Sequence, residues 1–255
     1  MSDSQSMPVA LVTGAGRGIG RSVASRLSTT GHRVALTARS VDDLEATAAE
    51  CQGETLVLPG NITDPAFVDQ LYADIEAAWG PVSVLVANAG AGVSASVVRT
   101  TDEEWQRMLD LNLTAPFRCL RRALPAMVER GHGRVVVIAS VAAKIGEPYI
   151  SAYTASKHGV LGLVRSAAAE VATKGVTVNA VCPGYVDTPM TDATVRGIVE
   201  QTGRTEQEAR SALEAKQPIG RLITPDEVAD TVLLCVTNGA ITGQGINVDG
   251  GTVQS

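Results

Sequence analysis

Val9-Ala10-Leu11-Val12-Thr13-Gly14-Ala15-Gly16-Arg17-Gly18-Ile19-Gly20 runs from an apolar, β-branched pentad into a glycine-rich turn. The pentad shows no polar alternation, so it reads as a strand covered on both faces, as parallel sheets require. The stretch after it, Ile19–Thr29, has helical length and periodicity. Glycines between a strand and a helix allow a tight turn and let a pyrophosphate approach the backbone N–H groups of the helix start. Many turns need glycine for positive φ, so the reading rests on the strand before and the helix after. The spacing is Thr13-Gly14-x-x-x-Gly18-x-Gly20, and it lacks the Gly-Lys-Ser/Thr ending of an ATP-binding loop.

The same alternation continues outward. Strand-like runs recur at Arg33–Thr37, Thr55–Leu58, Val82–Ala87, Arg134–Ala139, Val176–Val181 and Gly245–Val248. Helical stretches lie between them, among them Val41–Glu50, Pro65–Trp79 and Ala152–Thr173. This order predicts an α/β fold with one doubly wound parallel sheet and helices on both faces. Gly31, Gly53, Gly80, Gly131 and Gly175 each fall between a helix and the next strand, where a left-handed C-cap is expected. Asp64 before Pro65, and Thr224 before Pro225, read as helix starts. No repeat, low-complexity tract or long linker divides residues 1–255, which are read as a single dinucleotide-binding and catalytic domain.

One segment breaks the rhythm. Thr191–Gln217 is polar, carries two short helical stretches around Gly203, and leaves from the carboxyl end of a strand. Ligands of open α/β sheets bind beyond those ends, so residues 191–217 read as a mobile substrate lid. The alternative is a surface excursion without function.

Composition excludes several functions. The 255 residues carry 21 basic and 27 acidic side chains, a net charge of −6, and only 3% aromatics. Such a chain lacks both the positive surface and the stacking platforms of a nucleic-acid binder. Its longest apolar runs, such as Val135–Ala139, fall far short of the ~18–20 residues of a membrane span. Met1–Met7 shows no basic segment followed by an apolar one, so no secretory signal is expected. Cys51, Cys119, Cys182 and Cys235 are too far apart for a zinc motif and suit buried, reduced thiols in a cytoplasmic protein. No metal site is expected: His32, His132 and His158 have no ligand-like partner nearby in sequence. His158 is expected on the helix face opposite Lys157.

The second strand selects the cofactor. An acidic residue at its end would bond the ribose 2′-hydroxyl of NAD, but Ala38 stands there. Arg39 follows, and Arg17 lies in the glycine-rich turn. Two guanidinium groups suit a 2′-phosphate, which favours NADP(H) over NAD(H). The plain alternative is two solvated arginines on loops.

Tyr153 and Lys157 lie one helical turn apart and share a face. A free phenol has a pKa of about 10, and a nearby ammonium lowers it toward the range of acid–base catalysis. Alone, such a pair is usually structural. Beside the glycine-rich turn and the alternating strands it becomes a candidate catalyst.

Together these residues resemble the short-chain dehydrogenase/reductases, a family of Rossmann fold, from about Pro8 to Val253. Thr13, Gly14, Gly16, Arg17, Gly18, Ile19 and Gly20 cover its glycine-rich turn. Asn61 and Ile62 fall at its adenine-side loop, with Asn61 where the family more often has Asp. Asn88, Ala89 and Gly90 match the segment after the fourth strand, with Ala87 in place of the usual Asn. Asn112, Ser140, Tyr153 and Lys157 match the active-site set. Pro183, Gly184, Val186 and Thr188 match the nicotinamide-side loop. The resemblance implies that Ser140 bonds the substrate carbonyl, Tyr153 protonates it, and Lys157 holds the nicotinamide ribose and lowers the Tyr153 pKa. Asn112 would fix a water that relays protons to Lys157, while Val186 and Thr188 would orient the carboxamide and the phosphates. It also implies a homotetramer paired through helices near Asn112–Arg130 and Ala152–Thr173. The run Ala167–Ala169 would allow close helix approach, or is an ordinary buried face.

The expected activity is NADPH-dependent reduction of a ketone, such as a 3-oxoacyl thioester, to a secondary alcohol. Val181–Met190 and Lys216–Arg221 resemble 3-oxoacyl-thioester and polyketide ketoreductases. Two alternatives stand beside it: oxidation of a cyclic, aromatic, steroid or 3-hydroxy-acid alcohol, and an NADP-sensing module without turnover. The intact set Asn112, Ser140, Tyr153 and Lys157 argues against the sensor. No basic residue just before Tyr153 takes a substrate carboxylate, which weakens the hydroxy-acid reading; Lys144 is expected as a solvated loop lysine, with a pocket-facing position as the alternative. Tyr149, Tyr185 and Met190 join Ser140 as candidate pocket walls, so three of the four tyrosines border the expected nicotinamide site.

Overall fold

Every residue of β1 (Val9–Thr13) is buried, because the strand lies inside a sheet covered on both faces. The computed structural model describes residues 7–254. After β1 come α1 (Gly18–Thr29), β2 (Arg33–Thr37), α2 (Val41–Glu50), β3 (Thr55–Val57), α3 (Pro65–Trp79) and β4 (Val84–Ala87). The chain continues through α4 (Asp102–Leu109), α5 (Ala115–Glu129), β5 (Gly133–Ile138), α6 (Ser151–Val171) and β6 (Val176–Pro183). It ends with α7 (Pro189–Thr202), α8 (Glu206–Glu214), α9 (Pro225–Thr237) and β7 (Gly245–Val248). The strands are all parallel and form one sheet in the order β3-β2-β1-β4-β5-β6-β7. The doubly wound α/β fold read from the sequence is therefore present, and the strand boundaries shift by only a residue or two.

Side chains of successive strand residues point to opposite faces. On one face Leu11, Leu85, Val135 and Val178 pack with α3, α5 and α6. On the other, Ala10, Val12, Val86 and Val136 pack with α1, α2 and α9. Fully burying a Leu or Val contributes about 1.5–3 kcal/mol. Aliphatic side chains supply nearly all of both layers, so scarce aromatics cost the fold nothing. Cys119, Cys182 and Cys235 are buried in these layers, Cys51 is half-buried, and all four are free thiols. Among the described residues no helix is long and apolar enough to cross a membrane.

The helix ends follow the sequence signals with two corrections. Asp64 caps α3 ahead of Pro65, and Thr224 caps α9 in a reciprocal box with Glu227. Gly31, Gly131 and Gly175 take positive φ as expected. Gly80 has φ 89° but ψ −177°, outside the left-handed helical region. Gly53 is not at positive φ at all; added bulk there would press on the His32 carbonyl, so close approach accounts for that glycine.

The order of the sheet reverses between β1 and β4. Their carboxyl ends open a crevice at that switch point, and such crevices bind ligands in open α/β sheets. Both glycine-bearing segments named above, after β1 and after β4, lie at its floor.

Candidate active site

The turn after β1 is tied to β4 by two side chains that bind each other's strands. The Thr13 hydroxyl accepts from the backbone N–H of Asn88 and of Ala89, each at 3.0 Å. The Asn88 amide donates to the carbonyls of Thr13 (2.9 Å) and Gly14 (3.1 Å). Thr13 and Asn88 therefore act as struts that set the backbone through the Thr13 hydroxyl and the Asn88 amide nitrogen. The glycines leave no alternative. A Cβ on Gly14, which has φ 65°, would stand 2.9 Å from Ala89 Cα, and one on Gly20 would collide with the Gly14 carbonyl. A Cβ on Gly18, which has φ 54°, would stand 3.0 Å from Thr188 Cγ2, so the loop after β6 closes over the turn.

This cradle fits a dinucleotide. Its four glycines leave stretches of backbone uncovered, it lies at the N-terminus of α1, and that terminus carries partial positive charge. Arg17 and Arg39 are exposed, and among the described residues neither guanidinium makes a hydrogen bond or ion pair. Asn61 is exposed and folds its side chain onto Thr63. Ile62 puts its side chain into the core, so any contact it makes with a ligand comes from its backbone.

At the other end of the crevice, Asn112 sits where α4 runs into α5 through a π-turn, Asp110–Thr114. Wider turns of this kind recur at functional sites because they displace one residue from the helical register. Here the displaced residue is buried and clamps the segment after β4. Its amide donates to the Ala91 carbonyl at 3.0 Å, and its carbonyl accepts from the Ala91 N–H at 3.1 Å. Gly90 lies between Asn112 and Lys157, where a Cβ would come within 2.9 Å of Asn112 Oδ1. Asn112→Ala would leave both Ala91 groups unpaired, and we expect a loss of about 2–4 kcal/mol of unfolding free energy in urea. A loss below about 1 kcal/mol would remove this clamping role.

Ser140 follows β5 and caps the turn Val141–Ala143, accepting from the Ala142 N–H at 3.1 Å. Its hydroxyl is also hydrogen-bonded to the phenol of Tyr153 on α6. Lys157, one turn further on, is buried; its Nζ donates to the Ile138 carbonyl at 2.8 Å and stands 5.6 Å from the centre of the Tyr153 ring. Ser140, Tyr153 and Lys157 are thus neighbours beyond the carboxyl end of β5, and Asn112 faces Lys157 across Gly90. The electrostatics differ from the expectation that Lys157 lowers the Tyr153 pKa. Burial raises Tyr153, and the bond with Ser140 only partly opposes it; Tyr185 and Glu147 add negative charge that raises it further. Burial brings Lys157 down to about 8. The lysine therefore yields its proton more readily than usual, while the phenol remains a neutral donor.

The lid reading finds two helices as expected, α7 and α8, separated by Gly203 at φ 70°. Val195, Ala209 and Leu213 give them a small core of their own with Leu222. Arg210 on α8 reaches back to Asp187 at 2.6 Å and Asp192 at 3.4 Å, fastening the pair to the loop after β6. Gln217 was not singled out by sequence, yet it is fully buried. It accepts from the Tyr185 N–H at 2.9 Å and donates to the carbonyls of Tyr185 (3.2 Å) and Arg221 (2.6 Å). An isolated Gln in a polar segment gives no periodic signal that could have marked it.

Pro183 ends β6 buried, and the loop after it holds Val186 in the core, with Gly184 wedged against Gln217 and Asp249. Of the candidate pocket walls, Tyr149 and Met190 are exposed, and Tyr149 takes the unusual φ of 68°. Tyr185 is half-buried and bonded to Glu147, which the sequence did not single out, and to Lys216, the first residue of the Lys216–Arg221 stretch. Lys144 corrects the expectation of a solvated lysine: its Nζ donates to the Gly245 carbonyl at 2.7 Å. His158 lies exposed, its ring bonded to the Thr154 carbonyl, away from Lys157 as expected.

Comparison with known proteins agrees with this arrangement. A Streptomyces coelicolor chain assigned as a ketoacyl reductase is 40% identical, covering 97% of this chain and 98% of its own. The 3-oxoacyl-acyl-carrier-protein reductase FabG of Escherichia coli is 37% identical, covering 95% and 96%. Among solved structures, a point variant of actinorhodin polyketide ketoreductase with NADPH superposes with a TM-score of 0.94 at 38% identity, covering 98% of this chain and 99% of that one. The model of the short chain dehydrogenase family matches residues 8–198. With the sheet order, the crevice and these matches in agreement, the chain belongs to the short-chain dehydrogenase family of oxidoreductases.

Proposed function

We propose that this chain is an NADPH-dependent ketoreductase that converts a ketone, a 3-oxoacyl thioester or a close relative, into a secondary alcohol. The carrying observation is the neutral Tyr153 phenol held by Ser140 above a buried Lys157, at the mouth of a glycine cradle flanked by two unpaired guanidinium groups. The likeness to a ketoreductase crystallised with NADPH supports the same reading.

In this proposal the backbone of Gly14–Gly20 receives the pyrophosphate, and Arg17 and Arg39 take the 2′-phosphate. Asn61, Ile62 and the segment Asn88–Gly90 border the adenosine and ribose, while Pro183, Gly184, Val186 and Thr188 border the nicotinamide. Bound NADPH would supply the hydride for the carbonyl carbon. Ser140 then donates a hydrogen bond to the carbonyl oxygen, and Tyr153 gives that oxygen its proton. Both donors face an atom that gains negative charge in the transition state, where preorganised hydrogen bonds lower the barrier most. Lys157 holds the ribose and, with the π-turn at Asn112, returns a proton to Tyr153. Residues 191–217 cover the substrate, with Tyr149, Tyr185 and Met190 as walls. The protein would work in the cytoplasm as a homotetramer joined through α5 and α6, where Phe117 is exposed beneath Arg121.

The test is oxidation of NADPH by purified protein with an acetoacetyl thioester or an aryl ketone. We expect kcat/KM for NADPH to exceed that for NADH at least about tenfold, and Arg17→Ala with Arg39→Ala to abolish that preference. A higher kcat/KM with NADH overturns the arginine assignment. No turnover on any of the ketones overturns the activity.

A further inference from the structure

The segment after β3 is held from several sides. Leu58 and Gly60 extend the ladder with β2, donating to the Leu36 and Ala38 carbonyls, each at 2.9 Å. A Cβ on Gly60 would collide with the Phe67 ring, so the backbone lies close against α3. Ile62 is buried in the core, and the Arg118 guanidinium on α5 donates to the Thr63 carbonyl at 2.6 Å. Between these anchors Asn61 is exposed, beyond the carboxyl end of β3.

The Asn61 amide has a defined orientation. Its Oδ1 accepts from the Thr63 N–H at 3.2 Å and from the Thr63 hydroxyl at 2.9 Å. A backbone N–H can only donate, so the amide oxygen must face Thr63 and the amide nitrogen must face away. Among the described residues that nitrogen makes no hydrogen bond. Asn61 therefore offers a ligand two N–H donors, with both lone pairs of its oxygen already engaged. An aspartate in the same turn would keep one oxygen on Thr63 and offer the other as an acceptor.

The part of a ligand that meets this donor follows from the order of the sheet. In the proposed function the pyrophosphate sits on the turn after β1, and Arg39, after β2, takes the 2′-phosphate of the adjoining ribose. The strands run β3-β2-β1, and neighbours are about 4.8 Å apart. A base carried by that ribose, on its far side from the pyrophosphate, comes to the loop after β3. The bond between Gly60 and Ala38 holds that loop beside Arg39. The edge of a purine farthest from its ribose carries the 6-substituent.

We infer that Asn61 reads the 6-position of the purine with a donor, so that the site accepts a 6-oxo purine about as readily as adenine. The inference rests on the dinucleotide-binding reading and assigns its base specificity. Adenine sets an amino group, itself a donor, against the Asn61 amide, and neither N–H finds an acceptor there. A 6-oxo base such as hypoxanthine sets a carbonyl in the same place and accepts from Asn61.

The experiment measures dissociation constants by calorimetry for NADPH and its hypoxanthine analogue, without ketone, in three proteins. In the wild type the two constants are expected within about fivefold of each other. Asn61→Asp supplies an acceptor and should shift their ratio about 5- to 10-fold toward NADPH. Asn61→Ala removes the donor and should shift it about 3-fold the same way. Repulsion between the new carboxylate and the ligand phosphates acts on both dinucleotides and cancels in the ratio. The bases also differ at N1, a difference common to all three proteins. Damage to the loop would weaken both ligands and leave the ratio where it was. Either variant within about 1.5-fold of the wild-type ratio overturns the inference, as does a shift toward the hypoxanthine form or a wild type that prefers NADPH more than about fivefold. Should Asn61→Asp bind neither dinucleotide, the Asn61→Ala ratio decides alone. If the wild type binds neither, the dinucleotide reading itself fails, and this inference with it.

Discussion

Tyr153→Phe is expected to lower kcat/KM for ketone reduction about 10²–10⁴-fold while the protein still folds. The phenol hydroxyl is the only part removed, and the ring keeps its place over Lys157. Ser140 retains its bond from the Ala142 N–H, so the surrounding geometry persists. Thermal unfolding should change by no more than the loss of one hydrogen bond, about 1 kcal/mol. The direction of the Tyr153 shift adds a second observable. Because burial and the neighbouring Tyr185 and Glu147 raise its pKa, the group is a proton donor at neutral pH and a base only in alkali. Reduction needs the protonated phenol and should be flat with pH near neutrality. Alcohol oxidation needs the phenolate and should rise about tenfold per pH unit toward the raised pKa. A phenylalanine variant with more than about a tenth of wild-type activity would remove Tyr153 from the proton transfer.

The fold was legible because both faces of the sheet are covered. That burial writes each strand as an apolar run and leaves glycine where a helix returns to the next strand. The glycine-rich turn and the Tyr153–Lys157 pair were legible for a related reason: each is local, within one turn of chain. What stayed hidden depends on contacts made across the chain. Tyr185 meets Glu147 across 38 positions and Lys216 across 31, and none of the three lies in a periodic pattern. The π-turn that aims Asn112 at Ala91 also leaves no trace in sequence, since one extra residue in a helical turn has no composition of its own. Sequence makes Lys144 a solvated residue because loop lysines usually are; its position beside β7 depends on how β6 and β7 pair. The sign of the Tyr153 shift is hidden from the sequence for the same reason. A lysine one turn away is visible in the sequence, but burial and a carboxylate from another loop are not.

Lys157→Met should lose activity while the protein becomes as stable as, or more stable than, the wild type at pH 7. The lysine is buried, and burial lowers its pKa from 10.5 to about 8. Keeping it protonated at neutral pH therefore costs about 3 kcal/mol of folding free energy relative to the unfolded chain. Methionine is unbranched and apolar and fills the same channel without that cost. Against this stands the Ile138 carbonyl, which loses its 2.8 Å donor. An unpaired backbone carbonyl costs about 1–3 kcal/mol, so the net change lies between about zero and 2 kcal/mol in favour of the variant. For a chain of this length that is up to about 8 °C in Tm. The sign with pH follows from linkage. The unfolded chain holds the Lys157 proton up to its ordinary pKa of 10.5, whereas the folded protein releases it near 8. Between those values the unfolded state binds more protons, so the lysine's penalty shrinks as pH rises and disappears above the upper one. The stability gained by Lys157→Met should accordingly be full below the lower value and vanish toward pH 10.5, with the variant then below the wild type by the carbonyl term. Thermal melts of both proteins across that window test it. A variant less stable at neutral pH by more than about 1 kcal/mol, with no pH dependence in the difference, would mean that Lys157 is retained for packing. The expected outcome places a destabilising charge under the reacting phenol, where only function accounts for it.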